Sequence, residues 1–180
     1  MEVVISTTPE EAGRLAADAI SELVRRRPEA VLGVATGSSP LIIYEELGRR
    51  VARGSLSLAR ARAFMLDEYV GLPADHPQRY RNVIQAEFVD EVDIDPAQVH
   101  GPDGLAADLP AACAAYERAI AEAGGVDLQI LGIGTDGHIA FNEPGSSLAS
   151  RTRIKTLTSQ TRRDNARFFG GDVDLVPQHC

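Results

Sequence analysis

The chain has no tryptophan, only two cysteines and an aromatic content of 5%. Two thiols, Cys113 and Cys180, are too few for a disulfide framework or a thiolate zinc cluster. Cys113 stands among alanines and is expected to be buried as a small hydrophobe. No apolar run approaches the roughly 20 residues that a bilayer-spanning helix needs. The opening Met1-Glu2-Val3-Val4-Ile5-Ser6 has neither a basic n-region nor a long apolar h-region, so no signal peptide is expected. Positive charge is short as well: 18 Lys and Arg stand against 26 Asp and Glu, a formal net charge of -8. That balance argues against nucleic acid or an anionic membrane as partner. With no internal repeat, low-complexity tract or linker, the 180 residues are expected to form one cytoplasmic domain with a full core.

What is present is an alternation of apolar runs and helical patterns. Residues 3–6 read as a short strand, followed by Thr8-Pro9-Glu10-Glu11, which has the form of a capping box with proline at the first helical position. Leu15, Ala19, Ile20, Leu23 and Val24 follow at helical spacing until Pro28. Strands are expected at 30–35, 61–66, 126–131 and 152–158, with helices from near Pro40, over 78–88, 109–123 and 161–169. Strand and helix in alternation imply an open, mostly parallel α/β sheet with helices on both faces. In such sheets ligands bind beyond the carboxyl ends of the strands. Three polar loops fall there: Thr36-Gly37-Ser38-Ser39, Asp67-Glu68-Tyr69 and the glycine-rich stretch from Gly132 to Pro144.

Thr36-Gly37-Ser38-Ser39-Pro40 joins a strand to a helix. Ser39 is expected to cap that helix with Pro40 at its first position; the loop is either a simple cap or an anion site at a helix N-terminus. It lacks a P-loop lysine, which argues against nucleotide hydrolysis. Asp67 and Glu68 are adjacent, and in extended backbone they point to opposite faces. Asp67 reads either as a general base or as a turn carboxylate. Gly132, Gly134 and Gly137 match G-x-G-x-x-G by letter, but Pro144 and Gly145 interrupt any helix and the next strand is basic, against a dinucleotide fingerprint. Asp136 and His138 flank a glycine and would share a face, and Glu143 would complete a proton relay. Arg151, Arg153, Lys155, Arg162, Arg163 and Arg167 form a basic segment, either a solvated face or a local phosphate site. No zinc ligand set such as HExxH is present.

The run Leu131-Gly132-Ile133-Gly134-Thr135-Asp136-Gly137-His138-Ile139-Ala140-Phe141-Asn142-Glu143-Pro144 resembles the signature of the glucosamine-6-phosphate deaminases. Met65-Leu66-Asp67-Glu68-Tyr69-Val70-Gly71-Leu72, Ala35-Thr36-Gly37-Ser38-Ser39-Pro40 and Ser150-Arg151-Thr152-Arg153-Ile154-Lys155-Thr156 match further motifs of that family in order. The resemblance implies metal-free and cofactor-free conversion of glucosamine 6-phosphate to fructose 6-phosphate and ammonia. It implies Asp67 as the base moving a proton between C2 and C1, and His138 as the group assisting ring opening, oriented by Asp136 and Glu143. Thr36, Gly37, Ser38, Ser39 and Arg167 would hold the 6-phosphate. Ser146, Arg153 and Lys155 match an effector site for N-acetylglucosamine 6-phosphate in regulated members, and a homo-oligomer is compatible with the family.

The same resemblance implies further strands, helices and a phosphate-contacting lysine beyond Val176-Pro177. The chain is therefore expected to lack the family's C-terminal portion, to be weakly active or inactive and to be prone to aggregate. A lactonase acting on 6-phosphogluconolactone and a non-catalytic sugar-phosphate sensor are the alternatives.

Overall fold

The computed structural model describes residues 2–134 and 137–180. Its centre is one parallel sheet of β1 (Val31–Val34), β2 (Arg62–Met65), β3 (Val99–His100) and β4 (Leu128–Gln129), ordered β3-β2-β1-β4. The helices are α1 (Pro9–Arg26), α2 (Ser38–Ala52), α3 (Tyr80–Glu87), α4 (Leu109–Glu122) and α5 (Ser159–Asn165). Strand and crossover helix alternate through β4, as the apolar pattern predicts.

Both sheet faces are covered, and the two-residue period of the strands divides their side chains between them. Leu32, Val34, Ala63 and Met65 pack with Ile20 of α1, Tyr44 and Leu47 of α2, and Ile84 of α3. Val31 and Phe64 point the other way, against Tyr116 of α4. A third cluster of Tyr69, Leu72, Phe141, Leu157, Phe169 and Val176 closes the region beyond the strand ends.

Local chemistry explains where the elements begin. Thr8 caps α1 by accepting the Glu11 N–H at 3.2 Å, and Pro9 takes the first helical position. The Glu11 carboxylate returns to the N–H and hydroxyl of Thr7, both at 2.8 Å, so the reciprocal bond falls one residue earlier than a standard capping box. Asp127 ties β4 to β1: its carboxylate accepts the Val31 N–H at 2.8 Å and pairs with Arg27 at 2.5 Å.

Four expectations are corrected. Residues 3–6 form no strand; Val3 and Ile5 are 72% and 92% exposed. β-Branched residues favour a strand only when a neighbouring ladder accepts their backbone groups. The strand expected at 126–131 contracts to Leu128–Gln129, although Asp127 N and Ile130 N still bond to Val31 O and Gly33 O. Residues 152–158 stay outside the parallel sheet and pair antiparallel with the chain end, through Lys155 N to Cys180 O at 2.8 Å and Cys180 N to Lys155 O at 3.0 Å. Finally, α2 starts at Ser38 with Gly37 as its cap, not at Pro40 behind a Ser39 cap. β3 was not anticipated, because two residues carry no periodicity to read.

Among the described residues no helix is long and apolar enough to cross a membrane. Leu47 is 0% exposed at the α2–sheet contact, whereas Leu15 on α1 is 44% exposed. Leu47→Ala is expected to lower unfolding free energy by about 2–5 kcal/mol, and Leu15→Ala by about 0.5 kcal/mol, as measured by urea titration.

Candidate active site

Strand order reverses between β1 and β4: the chain moves outward from β1 to β3, then returns to place β4 on the far side of β1. The loops leaving β1 and β4 therefore diverge and open a crevice at the carboxyl edge. A cavity of about 490 Å³ occupies it, lined by Thr36, Ser38, Ser39, Asp67, His138 and Arg167 among others. Residues assigned from three separate loops and the basic segment thus meet in one space.

The β1 loop is held at both ends. The buried Tyr44 hydroxyl donates to Ala35 O at 2.7 Å and accepts from Ala35 N at 3.0 Å. Gly37 then turns the chain at φ 113°, a left-handed conformation that side chains oppose, and makes no side-chain cap. The first-turn N–H groups of α2 are consequently presented to the cavity, a ready-made anion site. Arg167 approaches from the opposite wall, with its guanidinium 4.7 Å over the Phe168 ring.

Asp67 lines the cavity and is half-buried. Burial, reinforced by the neighbouring charge of Glu68 and opposed by the Phe141 N–H it accepts, pushes its carboxyl up to about 7. Phe141 is delivered by a strained step: Ala140, at φ 53°, is the one non-glycine among the described residues with positive φ. Glu68 turns away from Asp67, as adjacent residues in extended backbone do. Its fully buried carboxylate accepts the backbone N–H groups of Tyr69, Tyr80 and Arg81, each at 2.9 Å.

His138 depends on glycine in a specific way. Gly134 N donates to His138 O at 2.8 Å, and Ile133 bridges Ile139. The imidazole lies against Gly134 so closely that a Cβ there would come within 2.2 Å of its Cε1. Asp136 lies outside the described residues. Glu143, expected to orient His138, is buried with its Oε1 bonded to Thr158 N at 3.0 Å and Thr161 Oγ1 at 2.7 Å. Its described bonds therefore cap the start of α5.

The basic segment divides. Arg162 is structural, donating to Val173 O at 2.7 Å and to Val176 O at 3.0 and 3.1 Å. Arg151 pairs with Glu117 at 3.2 Å, and Arg153 donates to Asn142 Oδ1 at 3.0 Å. Arg153 and Lys155 line a second cavity of about 240 Å³ that reaches Asp67 from behind; Ser146 does not line it. Among the described residues no group of three or more His, Cys, Asp or Glu is placed to hold a metal ion.

Sequence reasoning missed Tyr80 and Asn165, which also line the main cavity. Tyr80 stacks on Phe141 with centroids 5.7 Å apart, and Asn165 donates to the Tyr69 hydroxyl at 3.1 Å. The available signal was aromatic placement, in a chain with only four tyrosines and five phenylalanines.

An open parallel sheet with an anion-type helix start, a carboxyl that titrates near neutrality and a histidine at its strand-order reversal defines a Rossmann-like site for a small metabolite. The chain belongs to the family of glucosamine-6-phosphate isomerases/6-phosphogluconolactonase, which matches residues 6–167. It is 72% identical over 180 residues to a glucosamine-6-phosphate deaminase of Beutenbergia cavernae, covering 100% of this chain and 69% of that one. The deaminase of Mycolicibacterium smegmatis is 71% identical with the same coverage. A solved monomeric glucosamine-6-phosphate deaminase superposes with a TM-score of 0.95 at 41% identity, over 99% of this chain and 74% of that chain. The 6-phosphogluconolactonase of Thermotoga maritima shares the fold, with a TM-score of 0.70 at 24% identity over 86% of this chain and 68% of that chain.

The raised carboxyl of Asp67 has a consequence for stability. With a folded value of about 7 against an ordinary 3.8, the native state holds a proton that the unfolded chain releases between those values. The stabilising contribution is complete below about pH 4 and is lost as pH rises through 7. Asp67→Asn is therefore expected to be more stable than the parent at pH 8 by roughly 1–3 kcal/mol, the difference shrinking toward pH 4. Urea unfolding at the two pH values measures it.

Proposed function

We propose that the chain is a glucosamine-6-phosphate deaminase, converting glucosamine 6-phosphate and water to fructose 6-phosphate and ammonia in cytoplasmic amino-sugar breakdown. The observation that carries this reading is Asp67: a carboxyl held near neutrality in the same cavity as His138 and the anion-type loop of α2. Such a group can take a proton from carbon next to a carbonyl and return it to the adjacent carbon, which aldose–ketose isomerisation requires.

The 6-phosphate sits on the first-turn N–H groups of α2 with the hydroxyls of Thr36, Ser38 and Ser39, closed over by Arg167. Fixing that end orients the opened sugar toward Asp67. His138 exchanges a proton with the ring oxygen, releasing the C1 aldehyde. Asp67 then takes the C2 proton while the C1 oxygen gains one, giving an enolamine; Asp67 returns its proton to C1, leaving an iminium at C2 that releases a proton to become the imine. Water adds to C2, the C–N bond breaks, and ammonia departs from fructose 6-phosphate. Asp136 and Glu143 are proposed to support His138. Arg153 and Lys155, with Ser146 nearby in sequence, are proposed to receive N-acetylglucosamine 6-phosphate as an effector in a homo-oligomer.

Turnover is read as ammonia and fructose 6-phosphate released from glucosamine 6-phosphate. Hydrolysis of 6-phosphogluconolactone in its place would overturn the reading. Because the base must be ionised, kcat/KM is expected to rise with pH through about 7. Asp67→Asn, whose amide cannot accept the proton, should lower kcat by about 10²–10⁴-fold. Arg167→Met should instead raise KM by roughly tenfold or more, the loss of one charge-assisted hydrogen bond.

A further inference from the structure

The backbone groups that receive Glu68 belong to a distant element. α3 begins at Tyr80 behind Arg79, which makes no side-chain cap. Its first-turn N–H groups have no intrahelical acceptor and need one from outside. Glu68 supplies it: Oε1 accepts Tyr80 N and Oε2 accepts Arg81 N, both at 2.9 Å, while Oε1 also accepts Tyr69 N in its own loop. The Glu68 side chain is 0% exposed. Behind it the chain at Gly104 packs so tightly that a Cβ there would fall 2.1 Å from Tyr69 O and 3.3 Å from Glu68 Cγ. The carboxylate thus has no room to turn.

This clamp joins two parts of one cavity. Asp67 immediately precedes Glu68, and Tyr80 and Asn82 of α3 line the same cavity. We propose that Glu68 is a positioning residue for the reaction, whose buried carboxylate joins the Asp67 loop to the first turn of α3 and so fixes both the aim and the electrostatic setting of Asp67. The inference rests on the deaminase reading for its kinetic test, and on the geometry alone for its spectroscopic one.

Burial raises the Glu68 carboxyl above its ordinary value, and three N–H donors on its two oxygens oppose that shift in favour of the anion. Its charge is countered by Arg79, whose Nε lies 3.8 Å away, while the Arg81 guanidinium is committed to Val99 O at 2.8 Å. Asp67 in turn faces Tyr69, Tyr80, Tyr116 and Cys180, all of which burial holds protonated above neutrality. His138 and Arg167 share its front cavity, and Asp103, Glu117, Arg151, Arg153 and Lys155 the rear one. Of these groups Glu68 is joined to Asp67 by the chain itself and carries the like charge nearest in sequence.

Glu68→Gln in the full chain keeps the shape but removes the charge and turns an amide N–H₂ toward backbone N–H groups. The expected result is kcat lower by about 10–100-fold, KM for glucosamine 6-phosphate within about threefold, and the acid limb of the pH–rate profile displaced to lower pH by about one unit. Arg79→Met, which leaves Glu68 uncompensated, should move that limb the other way and is the variant to use where Glu68→Gln does not fold. A ¹³C-carboxyl NMR titration of Asp67 reports the same displacements without turnover. If the parent protein does not deaminate but the Asp67 titration moves as stated, the deaminase reading falls and the role of Glu68 stands. An Asp67 titration unchanged in Glu68→Gln, or unchanged in Arg79→Met where the first variant is lost, overturns the proposal.

Discussion

The structure turns on one electrostatic constraint, a carboxylate kept at the end of a central strand where protein replaces most of its water. Asp67 reaches that position because β2 is flanked by β1 and β3, so the loop leaving it cannot escape to an edge. Enclosure raises the energy of the ionised form, and the single N–H from Phe141 offsets only part of it, leaving the carboxyl poised near 7. A better-satisfied carboxylate would be more stable and a poorer base. The strained backbone at Ala140 belongs to the same balance, since it precedes the Phe141 N–H that meets Asp67. Destabilisation concentrated at a ligand crevice is the pattern expected of a catalytic site rather than of a structural turn.

The parts of this arrangement that were legible in the sequence are those specified within a few residues. Periodicity and proline placement foretold α1, α2 and α4, and apolar runs foretold β1 and β2, because each element's own side chains cover its own face of the core. Thr36, Ser38, Ser39, Asp67 and His138 followed from a single rule, that polar loops after parallel strands share one edge. Residues 3–6 show the limit: Val3, Val4 and Ile5 have the composition of a strand, and composition alone does not supply a partner. Asp67 and Glu68 show it more sharply. Their opposite orientation was readable from extended backbone, but the destination of Glu68 was not, since the N–H groups that donate to it lie 12 and 13 residues away on a helix whose approach is set by tertiary packing.

The basic segment illustrates how charge is apportioned in an acidic protein. Six cations between Arg151 and Arg167 suggested a phosphate surface, yet several are consumed in holding the chain. Arg162 gathers carbonyls from Val173 and Val176, which no other described cation replaces, and Arg151 fastens the segment to Glu117 on α4. The anion site proper relies on backbone N–H groups at the start of α2, whose partial charges are fixed in place and need no side-chain ordering. In the proposed reading one cation, Arg167, which lines the same cavity, closes it. A site built this way would hold a phosphate without a surplus of positive charge, consistent with a net charge of -8.

Arg167 is in turn placed by the loop that carries His138. Glu143 lies five residues beyond that histidine, and its carboxylate binds the Thr158 N–H and the Thr161 hydroxyl at the start of α5. The 3₁₀ turn over Ala166–Phe169 continues from α5 and presents Arg167 to the cavity. A displacement of the β4 loop would therefore carry Arg167 with it, and a displacement of α5 would pull on the histidine loop. Glu68 makes the corresponding link on the other side, between Asp67 and α3. Two buried glutamates, one adjacent to Asp67 and one five residues beyond His138, each cap a later helix and so turn separately encoded loops into walls of a single cavity. Neither needs to touch a substrate to decide how accurately the groups that do are aimed.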